Sequence, residues 1–285
     1  MKTILITGIN GFLGSHLAKR LSKDYKIVGL EYSVENLFRL KDYSFKVYSS
    51  DEETDTIFRE NEIFAVIHAA TVYRRATDSI ENLILTNILL PVKLYELANR
   101  FNVALFMNTD SFFNSKKYIS SYLPDYTLSK KHILEWLKLL KGGCKLINMK
   151  IFHMYGPEDS SDKFIPKTIL ELKNNKTYLD TTSGEQTRDF IYISDVVSAY
   201  KLVLQKASLM EMFVEYEVGT GKETSIKEII LEIKKLTKST TKLNFGALDY
   251  RINEIMKSKA NIKTLCDLGW EPKYNVCEGI TKTVI

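Results

Sequence analysis

Apolar and polar positions alternate between two periods along the first half of the chain. A short apolar run, Thr3-Ile-Leu-Ile-Thr7, gives way to glycines at 8, 11 and 14, and Leu13, Leu17 and Leu21 then fall on one helical stripe. The run reads as a strand buried on both faces of a parallel sheet. Further runs at Lys26–Leu30, Phe45–Tyr48, Phe64–Ala70, Ala104–Met107 and Lys145–Ile151 read the same way. Helical patterns separate them: one over 52–61, one over about 80–100 with Pro91 as a kink, and one opened by Pro124-Asp125 and ended by Gly142-Gly143. Strands and helices in regular alternation predict an α/β fold with a doubly wound parallel sheet.

After Pro157 the alternation loosens. A helix is expected over Lys163–Lys173, a polar loop over 181–189 and a short strand at Phe190–Ile193. Ser194 then caps a helix running to about Gln205, followed by a strand at Val214–Val218 and a helix over 225–237. With no repeat, low-complexity tract or linker, any second lobe is woven against the first.

Composition narrows the class. At 285 residues, 45% apolar and 26% charged, the chain has the make-up of a globular domain with a substantial core. The net charge of +5 is spread among acidic residues, which argues against a nucleic-acid surface. No apolar run approaches the roughly 20 residues of a membrane span, and the strand pattern begins too early for a signal peptide. Cys144, Cys266 and Cys277 show no redox or metal-ligand spacing, which fits a reducing cytoplasm. His16, His68, His132 and His153 form no local ligand pair, so no metal is expected.

Candidate chemistry begins at the glycines. Their G-x-x-G-x-x-G spacing, between a strand and a helix, lets the backbone turn tightly against a pyrophosphate at the positive helix end; a plain glycine-rich turn is the alternative. Glu31, about 20 positions on, suits the ribose hydroxyls of an adenosine and would repel a 2′-phosphate, favouring NAD; Arg39 nearby works against that preference. Asp51 suits the adenine edge or, equally, a helix cap. Ala69 and Ala70 are small enough to let a cofactor approach the backbone. Asn108-Thr109-Asp110-Ser111 follows a strand at the sheet end where ligands bind, although it is also an ordinary turn sequence.

Tyr126 and Lys130 complete the set. On a helix they share one face, and a nearby ammonium is expected to favour the phenolate and lower the tyrosine pKa from roughly 10. Tyr126 would then give a proton to a carbonyl oxygen, or take one from a hydroxyl, while a hydride moves elsewhere. Most Y-x-x-x-K pairs are surface neighbours, so the accompanying motifs matter. Arg188 and Arg251 are candidates for a diphosphate, with an ordinary salt bridge as the alternative for each.

Thr7-Gly-Ile-Asn-Gly-Phe-Leu-Gly14, His68-Ala-Ala70, Tyr126/Lys130, Tyr155-Gly-Pro157, Arg188-Asp-Phe190 and Gly269-Trp-x-Pro272 occur in an order that resembles the extended short-chain dehydrogenase/reductase family, of the NAD-dependent epimerase/dehydratase type. The resemblance covers nearly the whole chain. It implies a Rossmann NAD(P)-binding domain over 1–160, to which 190–218 returns, and a smaller α/β lobe over 161–189 and 219–285 that binds a nucleotide-sugar. It also implies a homodimer. By similarity, Tyr126 is the acid/base, Lys130 holds the nicotinamide ribose, Thr109 bonds the reacting oxygen, and Asp110 belongs to the catalytic set. The cofactor, NAD(H) or NADP(H), would lie on Gly8, Asn10, Gly11, Phe12, Leu13, Gly14, Glu31, Asp51, Ala69, Ala70, Asn87, Tyr126 and Lys130. Substrate would meet Ser111, His153, Phe164, Arg188 and Arg251.

Departures from the family pattern refine the expectation. Ser111 stands where sugar-nucleotide 4,6-dehydratases carry glutamate, and a hydroxyl is too weak a base to remove a sugar proton without an activator. His153 and Lys150 replace the usual asparagine and arginine. The stretches 108–114, 184–190 and 250–255 resemble the CDP-abequose and CDP-paratose synthases, 4-ketoreductases of bacterial surface-polysaccharide (O-antigen or capsule) synthesis. The implied reaction is reduction of a 4-keto-6-deoxy or 4-keto-3,6-dideoxy hexose on CDP or a similar nucleotide. The alternatives are an NAD-dependent 4-epimerase and a non-catalytic dinucleotide sensor; intact Thr109, Tyr126 and Lys130 argue against the sensor.

Overall fold

The computed structural model describes residues 1–50, 54–73, 79–115 and 123–285. Its centre is a seven-stranded sheet built from β1 (Thr3–Thr7), β2 (Lys26–Glu31), β3 (Lys46–Ser49), β4 (Ile63–His68), β5 (Leu105–Ser111), β6 (Lys145–Ile151) and an edge strand, Phe213–Val218. The order from that edge is the edge strand, then β6, β5, β4, β1, β2 and β3. Pairings from β3 through to β5 are parallel. This is the expected Rossmann arrangement, with the chain reversing direction of travel between β1 and β4.

The strand interiors are almost continuously buried, as a sheet covered on both faces requires. On one face Leu5, Val28, Val66 and Phe106 join a core with Leu94, Leu97, Ile133 and Leu137 from the helices α4 (Leu90–Arg100) and α5 (Pro124–Leu139). Earlier helices are α1 (Phe12–Leu21), α2 (Thr54–Glu60) and α3 (Ile80–Ile84).

Three local features depart from expectation. β4 stops at His68 because the amides of Ala69 and Ala70 turn to the Thr7 hydroxyl instead of a neighbouring strand. β5 continues through Asn108-Thr109-Asp110-Ser111, so these residues are strand and not turn. The helix expected over 80–100 is interrupted before its proline, by a π-helical turn at Leu85–Leu89. Pro91 has no N–H for the Asn87 carbonyl and its ring crowds that group, so the preceding turn widens.

The chain divides into two compact units. The first comprises residues up to 115, 123–150 and 197–216; the second comprises 151–196 and 217–285. Within the second, β7 (His153–Tyr155) pairs in parallel with β10 (Phe190–Tyr192), and β8 (Tyr178–Thr181) with β13 (Lys242–Phe245). The short strands β9 (Thr187–Arg188) and β12 (Thr224–Ser225) run antiparallel. Beyond β10 the helix α7 covers Ile193–Gln205, and the edge strand of the central sheet is β11. α6 (Phe164–Lys173), α8 (Ile226–Thr237), α9 (Lys263–Asp267) and α10 (Val276–Val284) complete the chain. α8 opens with a capping box in which Ser225 and Glu228 satisfy each other's amides. Among the described residues no helix is long and apolar enough to cross a membrane.

Candidate active site

The glycine turn is shaped by close contact. Gly8 has φ of +62°, and a Cβ there would lie 2.7 Å from the Ala70 Cα. A Cβ on Gly14 would lie 2.0 Å from the Gly8 carbonyl oxygen, and one on Gly11 2.9 Å from it. Helix α1 therefore begins directly against the end of β1. Its N-cap, Gly11, offers no side-chain acceptor, and its first turn carries no carboxylate. The positive end of the helix, with no carboxylate beside it, suits an anion. This cradle fits the pyrophosphate of a dinucleotide. Phe12 and Leu13 are buried, so only their backbone faces that role; Ala69 and Ala70 pack their backbone on the turn.

At the end of β2 the Glu31 carboxylate accepts the Asn10 amide at 2.8 Å and the Tyr32 amide at 3.1 Å. Asn10 also receives Arg39: a guanidinium nitrogen donates to the Asn10 carbonyl at 3.0 Å, and the Arg39 amide to its side chain at 3.1 Å. Glu31 and Arg39 thus meet one residue of the glycine turn. Asp51 lies outside the described residues.

Proton-transfer chemistry gathers on β5 and α5. Tyr126 is 5% exposed, with its ring stacked on Tyr73 at a centroid distance of 4.6 Å. Its hydroxyl bonds to Ser111 and Tyr73. Burial drives its pKa well above the usual phenol value, and the charges of Tyr73 and Asp110 push the same way. This reverses the expected lowering. Burial outweighs the neighbouring cation: the Lys130 ammonium donates to the Thr109 carbonyl at 2.9 Å and stands 5.8 Å from the Tyr126 ring centroid. Burial also pulls Lys130 down to about 8, against the opposing charge of Asp110. The Thr109 hydroxyl meets the Tyr200 hydroxyl of α7 at 2.8 Å.

Asp110 faces away from this group into a buried polar row. One carboxylate oxygen accepts the Ser111 amide at 2.7 Å; the other accepts the side-chain amides of Asn148 at 2.8 Å and Asn114 at 3.0 Å. Burial raises its pKa although all three donors and Lys130 oppose the rise. Asn148 also donates to Glu215, which accepts Lys150 at 2.6 Å, and takes the Asn108 amide at 2.7 Å. Asn87 is fully buried, and its amide is committed to Thr71, Val72 and Ser129. Its side chain ties the segment after β4 to α5.

In the second unit Phe190 is the centre of an aromatic group. His153 lies 5.7 Å from it and Phe164 stacks at 6.3 Å, centroid to centroid. Burial, aided by the Arg188 charge, lowers His153 to about 3, so the imidazole is neutral. Arg188 is ion-paired with Glu254 and donates to the Ile255 carbonyl; the salt-bridge alternative holds for it. Arg251 is exposed on the following turn.

Sequence reasoning missed Tyr73, Asn148 and Tyr200. Asn148 left a signal, as a side-chain amide between apolar residues inside a buried strand run. Tyr200 left none, since it falls on the apolar stripe of α7 with Val196 and Val203. Among the described residues, no three His, Cys, Asp or Glu side chains gather to hold a metal ion.

The chain is similar in sequence and fold to known proteins. The model of the NAD dependent epimerase/dehydratase family matches residues 4–219. The chain is 36% identical to the CDP-abequose synthase of Salmonella muenchen, across 99% of this chain and 96% of that protein. It is 28% identical to the dTDP-D-glucose 4,6-dehydratase of Dictyostelium discoideum, across 100% of this chain and 81% of that one. In fold it is similar to the UDP-glucose 4-epimerase of Thermotoga maritima solved with UDP-glucose, with a TM-score of 0.84 at 22% identity, covering 99% of this chain and 97% of the other.

Proposed function

The chain belongs to the NAD dependent epimerase/dehydratase family, and we propose that within it the protein is a nucleotide-sugar 4-ketoreductase. It is an enzyme of an NAD-dependent family, with a nicotinamide dinucleotide as cofactor. The substrate in this reading is a 4-keto-6-deoxy or 4-keto-3,6-dideoxy hexose on CDP or a similar nucleotide, which the relationship to CDP-abequose synthase supports.

One observation carries the reading. Tyr126, Ser111 and Thr109 present hydroxyls, while Asp110, the one carboxylate of the stretch, is 2% exposed and held by three donors. Dehydration of a sugar needs a free base, and among the described residues of the 108–111 stretch none is offered. Reduction of a carbonyl needs only a proton donor and hydrogen bonds to the developing oxyanion. The raised pKa of Tyr126 keeps its proton in place for that step. An epimerase must first take a proton from a sugar hydroxyl, which the same shift disfavours.

The residues that would hold the dinucleotide are Gly8 to Gly14 at the pyrophosphate, Glu31 at the adenosine ribose and Lys130 at the nicotinamide ribose. A reduced nicotinamide bound there would supply a hydride to the sugar carbonyl carbon. Thr109 and Tyr126 hold the carbonyl oxygen, and Tyr126 protonates it. Lys130 keeps a positive charge beside the group, anchored by the Thr109 carbonyl. Burial of Tyr126 and Lys130 excludes water from both. The second unit is the proposed nucleotide-sugar lobe, with His153, Phe164 and Arg188 around Phe190 and Arg251 beyond.

We infer a homodimer as well: Ile84, Leu85 and Leu89 on one helical segment, and Leu128 and Trp136 on α5, are exposed apolar residues. Three free cysteines fit a cytoplasmic protein. The test of the reaction is product analysis. Given reduced dinucleotide and a 4-keto-6-deoxy nucleotide-sugar, the protein should add two hydrogens to the sugar; loss of water from a fully hydroxylated nucleotide-sugar would contradict the reading.

A further inference from the structure

Thr109 is held at two points. Its carbonyl takes the Lys130 ammonium, and its hydroxyl meets Tyr200 at 2.8 Å. The two residues differ in access: Thr109 is partly exposed, whereas Tyr200 is 0% exposed. Tyr200 therefore cannot touch a substrate, and anything it does at the site passes through Thr109.

The direction of this hydrogen bond follows from counting protons. Each hydroxyl has one hydrogen to place. Among the described residues, Thr109 is the only hydrogen-bond partner of the Tyr200 phenol. If Thr109 donated, the phenol proton would be left buried with no acceptor among the described residues, which is costly. If Tyr200 donates, both hydroxyls are satisfied and the Thr109 proton remains for the partly exposed side. Burial raises the Tyr200 pKa, so the phenol keeps its proton at any working pH.

We propose that Tyr200 is a positioning residue that donates its hydroxyl proton to Thr109 Oγ1 and so fixes Thr109 as a hydrogen-bond donor to the reacting sugar oxygen. This rests on the ketoreductase reading. A carbonyl oxygen becoming an oxyanion accepts two bonds, from Tyr126 and Thr109, and a donor that is itself receiving a bond is the stronger for it. Tyr200 thus fixes the direction in which Thr109 presents its proton.

The experiment has two arms. In the first, kcat and KM for reduction of a 4-keto-6-deoxy nucleotide-sugar are measured for wild type, Tyr200→Phe, Thr109→Val, Thr109→Ser and the Tyr200→Phe combinations. Tyr200→Phe should lower kcat about five- to tenfold, the size of one hydrogen bond, with KM within about twofold. It should do the same beside Thr109→Ser, which keeps the hydroxyl, and have no further effect beside Thr109→Val. An equal loss in the Thr109→Val background, or no loss in wild type, overturns the proposal.

The second arm needs no turnover. Protein labelled with 13C at the tyrosine Cζ is studied by NMR in mixed H2O and D2O, where a slowly exchanging hydroxyl splits its carbon line. The Tyr200 line, identified by its absence from Tyr200→Phe, should be split in wild type and collapse in Thr109→Val. A line unsplit in wild type, or a splitting that survives Thr109→Val, also overturns the proposal. Wild type that reduces no keto-sugar while the second arm succeeds removes the ketoreductase reading and leaves the Tyr200 bond standing.

Discussion

Lys130 donates its ammonium to the carbonyl oxygen of Thr109 at 2.9 Å, one strand away from the helix that carries it. The bond ties α5 to the end of β5 and fixes the ammonium 5.8 Å from the Tyr126 ring centroid. Burial sets the Tyr126 pKa well above the usual phenol value. The pair is built as an acid with a neighbouring cation.

Replacement of that acid is the simplest prediction. Tyr126→Phe removes the hydroxyl and keeps the stack on Tyr73, so the fold and dinucleotide binding should be retained. Turnover should fall by at least about 100-fold, the contribution of general acid catalysis. Steady-state rates and a dinucleotide titration check both halves; activity within a few-fold of wild type removes Tyr126 from the mechanism.

How the activity depends on pH follows from Lys130. Its ammonium is pulled down to about 8, so it is charged below that value and neutral above it. Because the charge supports the site, kcat should hold steady up to about pH 8 and decline beyond it. A pH–rate profile flat to pH 10 would place Lys130 outside the catalytic charge balance.

Much of this arrangement is legible in the sequence, and the rest is hidden for physical reasons. Local patterns carried the strands: Lys145–Ile151 is observed with the expected bounds, and the glycines at 8, 11 and 14 mark a real close approach. What a one-dimensional pattern lacks is the third partner. The pKa of Tyr126 depends on burial and on Tyr73, which lies far along the chain. Tyr200 reads as core because it is core; only its contact with Thr109 gives it a role. Asn87 and Arg188 have the residue types a ligand wants, yet both are engaged by neighbours that no spacing reveals.

Acid should destabilise the protein through His68. Burial, and then the charge of Lys130, hold its pKa well below 6.5, with Nδ1 bonded to the Thr7 hydroxyl. The unfolded chain takes up a proton near pH 6.5 that the folded chain refuses, so this contribution is complete above pH 6.5 and lost as pH falls. Between pH 7 and 5.5 the loss is about 1 kcal/mol. Thermal unfolding over that range should fall more steeply in wild type than in His68→Asn; equal slopes would refute the assignment.

Cofactor choice turns on two side chains that meet Asn10. Glu31 disfavours a 2′-phosphate and Arg39 favours one, but the Glu31 carboxylate is fixed on the glycine turn by the Asn10 amide. NADH should therefore bind more tightly than NADPH, and Glu31→Gln should narrow the difference. Fluorescence titration of both reduced cofactors tests this, and a clear wild-type preference for NADPH contradicts it.

The central claim is net reduction, and its most direct measurement is cofactor stoichiometry. Absorbance of the reduced nicotinamide is followed with a 4-keto-6-deoxy or 4-keto-3,6-dideoxy nucleotide-sugar, and in parallel with a fully hydroxylated one. A ketoreductase oxidises one reduced dinucleotide for each keto-sugar consumed and leaves the hydroxylated sugar unchanged. Interconversion of the hydroxylated sugar with no net loss of reduced cofactor would contradict the account and identify an epimerase.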